Sequence, residues 1–215
     1  MKLGPVAVGT VLVTIALSGC GGSSSAPSSR TTVSSGTRSA VLTLPPGTPA
    51  ALRGPHGRVL LAGDLQGFDP QGYRRPSTSA QSWVAEFPPE QRASEAARLK
   101  ALGFIAGIIE QLGPAGAAGA TGEAISLVEQ FRSAHGANGE VADQLKQALA
   151  RGESAFAVPG IPGARGFGSS TASPPDANVA FPVGAYYYLV GFGSSAPTRS
   201  QLITAAQRLY RRVRG

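Results

Sequence analysis

The sequence has little of what most catalytic and metal sites are made from. Among its 215 residues there are one cysteine, one methionine, one tryptophan and two histidines. A single cysteine excludes an intrachain disulfide, and it also excludes zinc and iron–sulfur sites that are built from several thiolates. The histidines, His56 and His135, have no companion at a metal-ligand spacing such as H-E-x-x-H. We therefore predict no metal ion and no dissociable cofactor.

Common catalytic motifs are missing as well. The chain has 29 glycines, yet none belongs to a G-x-S-x-G nucleophile elbow or to a G-x-x-x-x-G-K-[ST] phosphate loop. Asp64 and Asp69 lie in a glycine-rich stretch, but their separation does not match a calcium loop, so we interpret both as turn or capping residues. One catalytic alternative stays open. It is a surface hydrolase assembled from scattered residues, with His135 close to a serine and a carboxylate.

The N-terminus carries the most specific pattern in the chain. Lys2 precedes an apolar stretch of about twelve residues (6–17), which is too short to span a bilayer. The stretch ends in Leu17-Ser18-Gly19-Cys20, an aliphatic residue and two small residues before a cysteine. This motif resembles the lipobox of bacterial lipoprotein signal peptides. The alternative is an ordinary secretory signal that contains a cysteine by chance.

The resemblance to a lipobox implies a defined processing route. Diacylglycerol joins the Cys20 thiol, a lipoprotein signal peptidase cuts between Gly19 and Cys20, and the new amino group can be acylated. Because each buried CH₂ contributes about 0.8 kcal/mol, one acyl chain holds a protein only marginally, whereas two or three make a stable anchor. We expect residues 1–19 to be the signal peptide and the mature protein to sit on the outer face of the cell membrane.

Composition divides the rest of the chain into a tether and a folded domain. Residues 21–40 are rich in Ser, Gly and Thr with almost no apolar side chain, and 44–57 form a second loose stretch. Such segments cannot bury enough apolar surface to offset the entropy of folding. We predict a lipidated, disordered tether over 20–57, with an r.m.s. span of roughly 35 Å, and a single domain over 58–215.

Hydrophobic period and turn residues predict the elements of that domain. We expect a long ordered loop over 63–76. A short helix capped by Ser77 or Ser79 is predicted to run through Trp83, and longer helices are predicted at 88–102, 138–150 and 198–213. Strands are predicted at 59–62, 104–112, 123–132, 154–158, 164–168 and within 178–192.

The order of these elements predicts an α+β fold. Two strands and a helix follow the helix 88–102, and two strands and a helix follow again, so the two ββα units look like an imperfect internal repeat. We expect an antiparallel sheet of four to five strands with helices packed on one face.

Four segments of the domain resemble a group of uncharacterised actinobacterial lipoproteins and secreted proteins. The resemblance covers roughly residues 58–213 and implies a cell-envelope location, but it transfers no catalytic residue. The matching segments are Phe104-Ile105-Ala106-Gly107, Ser126-Leu127-Val128-Glu129-Gln130-Phe131-Arg132, Val158-Pro159-Gly160-Ile161-Pro162-Gly163-Ala164 and Gly184-Ala185-Tyr186-Tyr187-Tyr188-Leu189-Val190-Gly191.

Aromatic residues supply one candidate binding surface. Tyr186, Tyr187 and Tyr188 alternate faces on a predicted strand, so one or two are core residues and the rest lie near the surface. Together with Trp83 they are our candidate surface for a ligand or partner. The carboxylates Glu110 and Glu129 also lie on predicted strands, and we expect both on the solvent face, with Arg132 as a neighbour.

The C-terminal helix supplies a second candidate surface. Lys and Arg number 19 against 12 Asp and Glu, a formal charge of +7, and arginines are frequent in this helix. Cations stabilise a helix C-terminus, which accounts for part of the pattern. The functional interpretation is that Arg208, Arg211 and Arg212 contact anionic lipid headgroups or wall polymers. A nucleic-acid partner is not expected outside the cell.

These observations together predict a membrane-anchored lipoprotein of the cell envelope. Its domain is expected to be a non-catalytic module that binds a protein or a small ligand on the face of its sheet. The hydrolase described above is the alternative.

Overall fold

The structure, a computed structural model, describes residues 49–73, 76–115, 123–169, 171, 176–193 and 197–215. The predicted signal peptide, Cys20 and the tether up to residue 48 lie outside the described residues. Pro49 leads into a short 3₁₀ helix, Ala50–Arg53, whose Leu52 is buried. The fold therefore includes residues that we assigned to the tether, before the predicted start at residue 58.

Seven strands within the described residues form one antiparallel sheet in the order β1-β2-β3-β7-β6-β5-β4. The antiparallel sheet is confirmed, but the predicted number of four to five strands is wrong. The strands are β1 (Phe68–Tyr73), β2 (Phe104–Pro114), β3 (Ala124–Phe131), β4 (Ser154–Phe156), β5 (Arg165–Gly168), β6 (Asp176–Val183) and β7 (Tyr186–Gly193).

Two errors account for the strand count. The segment 63–76 contains glycine and proline and was predicted as a loop, but it supplies β1, an edge strand that tolerates Pro70 and an irregular register between Pro70 and Gly72. The run 178–192 is a hairpin of two strands that turns at Gly184, which has φ 57°. The predicted strand at 59–62 is not a strand, although Val59 and Leu60 are buried.

Four α-helices are present in the described part of the chain. Ser79, Ser133 and Thr198 cap three of them through their side chains. Because Ser133 is the cap, the third helix begins at Ala134, and the predicted start at 138 is wrong. Gly103, with φ 84°, ends another in the left-handed conformation. The helices are α1 (Ala80–Trp83), α2 (Pro89–Leu102), α3 (Ala134–Ala150) and α4 (Arg199–Val213).

Helices cover both faces of the sheet, so the prediction of helices on one face is wrong. Along β7, Tyr187 and Leu189 pack with α1, α2 and α3, whereas Tyr188 and Val190 pack with α4 and the 3₁₀ helix. Successive side chains of a strand point to opposite faces. A strand that is apolar at every position therefore needs a cover on both sides.

The positions of the helices also show how far the predicted ββα repeat extends. The hairpins β2–β3 and β6–β7 lie side by side through the antiparallel pair β3–β7, and each is followed by a helix. A twofold axis normal to the sheet would relate the hairpins and place both helices on one face, but α3 and α4 lie on opposite faces. The two units share their order of elements and not their arrangement.

Candidate functional site

The aromatic residues predicted as a binding surface lie mostly inside the protein. Trp83, Tyr187 and Tyr188 are 3%, 1% and 0% exposed. Tyr186 is half-buried, and the Arg58 guanidinium lies 4.3 Å from the centre of its ring. Because helices cover both faces of the sheet, these four side chains form no open surface.

A buried polar cluster lies where α1, α2 and α3 meet the sheet. Glu129 on β3 pairs in register with Tyr187 on β7, and both side chains face the three helices. The indole Nε1 of Trp83 donates a hydrogen bond to Glu129 Oε1 at 2.5 Å. Glu129 is 3% exposed, which corrects our placement of this carboxylate on the solvent face.

A single arginine supplies the positive charge of the cluster. Arg98 of α2 donates to both carboxylate oxygens of Glu140 on α3, at 2.5 and 3.1 Å, and to Glu95 at 2.8 Å. Burial acts to lower the pKa of Arg98, but the hydrogen bonds and charges of Glu140 and Glu95 outweigh it and raise that pKa. Asp143 lies 3.3 Å from the same guanidinium. Glu140 is therefore an ion-paired carboxylate that ties α2 to α3.

Glu129 differs from Glu140 because it has no cation of its own. Burial, and then the charge of Glu140, raise the pKa of Glu129 well above its ordinary value. Its Oε2 atom and the hydroxyl of Tyr187 are both buried and have no hydrogen-bond partner among the described residues. Burial and the same carboxylates also raise the pKa of Tyr187. The fold thus disfavours the ionised form of Glu129.

A second buried carboxyl lies on the other side of the sheet. Glu110 on β2 is 0% exposed, and its Oε1 accepts a hydrogen bond from the Gly72 amide at 2.8 Å. Burial raises its pKa to about 7, although the bond from Gly72 opposes the shift. Our prediction that Glu110 faces solvent is wrong. This carboxyl supports the irregular stretch of β1.

The arginines of α4 divide between structural contacts and solvent. Arg208 donates to the carbonyls of Gly63 and Asp64, at 2.7 and 3.0 Å. Arg212 donates to the Asp64 carboxylate and to the Val59 carbonyl, each at 2.7 Å. These two residues hold the segment 59–64 against α4. Arg211, like these two residues, is exposed.

A shallow groove lies between the last turn of α4 and the turn that precedes β5. It has a volume of about 370 Å³ and is lined by Gly160, Ile161, Pro162, Tyr210 and Arg214. The Arg214 guanidinium lies 5.4 Å from the centre of the Tyr210 ring. Gln207 of α4 donates to the Pro159 carbonyl at 2.8 Å. The groove thus combines a cation, an aromatic ring and small apolar residues on a supported turn.

Sequence reasoning missed the groove but contained a signal for the buried cluster. Ile125, Leu127, Glu129 and Phe131 share one face of β3, as the alternation of side chains along a strand requires. That face had to be buried, so Glu129 had to be buried with it. The groove forms because residues 160 and 210 lie close together in the fold, and no local sequence pattern predicts this proximity.

The residues required by the hydrolase alternative are not assembled in the described part of the chain. His135 is exposed on the first turn of α3, and no hydrogen bond or ion pair joins its side chain to a serine or a carboxylate of the described residues. Asp64 is paired with Arg212, and Asp69 lies on β1. No group of three or more His, Cys, Asp or Glu that could hold a metal ion occurs among the residues described.

Comparison with known proteins yields no relative. No family model, no curated protein and no solved structure matches this chain. Within the described ranges, no helix has the length and apolar character that crossing a bilayer requires.

Proposed function

We propose that the protein is a membrane-anchored lipoprotein of the cell envelope and that its folded domain is a non-catalytic binding module. The anchor rests on Leu17-Ser18-Gly19-Cys20, which places a cysteine where lipoproteins receive their lipid. The binding role rests on one structural observation, the groove beside Tyr210 and Arg214. The site therefore lies at the C-terminal end of α4 and not on the sheet face that we predicted.

The lining of the groove indicates the class of ligand. A guanidinium presents N–H donors in a planar fork that fits a carboxylate or phosphate group. Tyr210 packs edge-on against Phe181 at 6.0 Å, which fixes the ring beside Arg214. Pro162 and Ile161 add an apolar wall. We propose a small ligand that carries one anionic group next to an aromatic or apolar group.

The hydrolase alternative gains no support from a specific contact. Its histidine is exposed, and the buried carboxyls Glu110 and Glu129 are closed off from solvent. A general base must lie within hydrogen-bond reach of the proton that it removes. We therefore keep the binding module as the proposal.

Phenyl phosphate is a suitable probe because it joins an anion to an aromatic ring. We expect titration of the mature chain to shift the backbone amide signals of Gly160 and Gly163 in two-dimensional NMR spectra. Inorganic phosphate, which lacks the ring, should bind more weakly. Arg214→Ala should weaken phenyl phosphate binding at least about tenfold, because a charged hydrogen bond is worth roughly 1.5–3 kcal/mol.

Lys146→Ala is the matched control, since Lys146 is an exposed cation on α3, on the other side of the sheet. It should bind phenyl phosphate like the wild type. Signals that stay unchanged at Gly160 and Gly163, or equal losses in the two variants, would reject the groove as the binding site.

A further inference from the structure

The positive charge of the domain is concentrated on one face of the sheet. Residues 199–215 contain five arginines and no Asp or Glu. On the opposite face, α2 and α3 together carry four basic and four acidic residues and are neutral. Those residues are Arg92, Arg98, Lys100 and Lys146, and Glu90, Glu95, Glu140 and Asp143.

Four of the arginines form what we call the basic face of α4, namely Arg208, Arg211, Arg212 and Arg214. The helix buries Leu202, Ala205, Ala206 and Leu209. At about 100° per residue, Arg211 lies opposite the middle of that buried stripe. Its charge therefore points directly away from the protein, with the other three arginines on either side.

The structural contacts of this face leave most of its charge uncompensated. Arg208 and Arg212 bind three backbone carbonyls, which carry no net charge, and one carboxylate, that of Asp64. Four arginines and one aspartate leave a net charge of +3 (4 − 1). The contacts also hold Arg208 and Arg212 in place, so less entropy of these two side chains is lost when they meet a charged surface.

The chain enters the domain on the same face of the sheet. Leu52 of the 3₁₀ helix belongs to the apolar core that α4 covers, together with Leu202 and Leu209. The described chain therefore begins on the face of the sheet that α4 covers. Cys20 precedes Pro49 by 29 residues (49 − 20).

We propose that the basic face of α4 docks on the anionic surface of a lipid bilayer and orients the domain on the membrane. A physiological role for this docking rests on the proposed function, in which a lipid anchor keeps the domain near a membrane. The partner is a layer of anionic headgroups, which offers negative charge over an area and so matches several outward arginines at once. Each arginine that reaches the surface should strengthen binding roughly fivefold.

Vesicle co-sedimentation of unlipidated protein tests the docking separately from the anchor. The protein is the mature chain from residue 20 with Cys20→Ala, and the vesicles are phosphatidylcholine with or without about one third phosphatidylglycerol. We expect binding to the anionic vesicles only. It should weaken steeply between 0.1 and 1 M salt, as the screening length falls from about 10 to about 3 Å.

Variants of Arg211 locate the surface. Arg211→Gln should weaken vesicle binding roughly fivefold, and Arg211→Glu, which changes the charge by two, at least about tenfold. Lys146→Glu on α3 is the control for charge reversal and should change binding less than about twofold. Because Arg211 does not line the groove, Arg211→Glu should still bind phenyl phosphate, so the two sites can be distinguished.

Three results would overturn the docking proposal. They are equal binding to neutral and anionic vesicles, equal loss in Arg211→Glu and Lys146→Glu, and Arg211-dependent binding to soluble polyglutamate without binding to the vesicles. Vesicle binding by a protein whose Cys20 proves to be unmodified in cells would support the docking and reject the anchor.

Discussion

Two buried glutamates on the same side of the sheet show how neighbouring side chains determine the cost of burying a carboxylate. Glu140 accepts two hydrogen bonds from Arg98 and one from Gln144, at 2.7 Å. Glu129 receives only the indole N–H of Trp83, and its second oxygen has no partner in the described structure. Burying an unpaired charge is costly, so the ionised form is disfavoured at Glu129. The carboxylate of Glu140 is instead paired with Arg98.

Removing the charge should therefore have opposite effects at the two positions. Glu140→Gln leaves Arg98 without its main partner and should lower the free energy of unfolding by roughly 1–3 kcal/mol. Glu129→Gln keeps an acceptor for Trp83 and cannot ionise, so it should raise the stability at neutral pH. Urea unfolding of both variants and the wild type, followed by Trp83 fluorescence, measures the difference.

The pH dependence of the unfolding free energy distinguishes an effect of the raised Glu129 pKa from an effect of altered packing in Glu129→Gln. The pKa of Glu129 is raised in the folded protein, so the folded state keeps a proton that the unfolded chain releases near pH 4.3. The unfolding free energy of the wild type should thus fall as pH rises above this value, and the advantage of Glu129→Gln should be larger at pH 8 than at pH 5. An advantage independent of pH would contradict the raised pKa.

At the scale of elements, the packing of α3 against α2 depends on the close contact between Gly136 and the end of α2. A Cβ atom added at Gly136, in the first turn of α3, would overlap the carbonyl oxygen of Leu102 and lie 3.0 Å from Phe131 Cβ. At Gly139, one turn later, an added Cβ would meet only the Leu102 side chain, at 2.7 Å from Cδ2. A backbone oxygen cannot move without moving the end of α2, whereas a leucine side chain can rotate.

The two glycines form a matched pair for a stability test. Gly136→Ala should lower the free energy of unfolding by roughly 1–3 kcal/mol, because the clash forces a backbone shift. In Gly139→Ala the helix propensity gain of up to about 1 kcal/mol offsets the movement of Leu102, so the net change should stay within about 1 kcal/mol. Thermal unfolding of the two variants checks this. Equal effects would show that the approach of α2 and α3 is not tight.

Elements that are determined by residues close together in the chain were predicted more accurately than elements that depend on distant contacts. Helix ends marked by Ser79, Gly103 and Thr198 were predicted, because these residues act within one turn, but the start of α3 at Ala134 was missed. Strands β2 and β3 were found, whereas β6 and β7 were predicted as one run and their hairpin was missed. The edge strand β1 was missed, since its pairing with β2 overrides the glycine and proline in its own sequence.

The burial of side chains was predicted only in part, because it depends on which sheet face is covered. One or two tyrosines of β7 were expected in the core and the rest near the surface, and Tyr187 and Tyr188 are buried whereas Tyr186 is half-buried. Helix α4 covers the sheet face that we expected to be open, and its arginines hold residues 59–64, which are distant in the chain, on the same side. Glu110 and Glu129 were misplaced for the same reason.

At the scale of the whole molecule, the domain is a sheet between two unlike helical layers. One layer holds the neutral pair α2 and α3 with a buried acid cluster, and the other holds the basic helix α4, the groove and the entry of the chain. The proposed binding groove and the proposed membrane-facing surface therefore lie on the same side of the sheet. The proposed lipid anchor rests on Cys20.

The intact mass of the membrane-extracted protein tests that premise most directly, with Cys20→Ala as the comparison. We predict a wild-type chain that starts at Cys20 and is heavier by a diacylglycerol group, with or without a further acyl chain, and we predict that the variant lacks this increment. An unmodified wild-type chain that is soluble outside the cell would contradict the anchor, and a freely secreted protein would take its place.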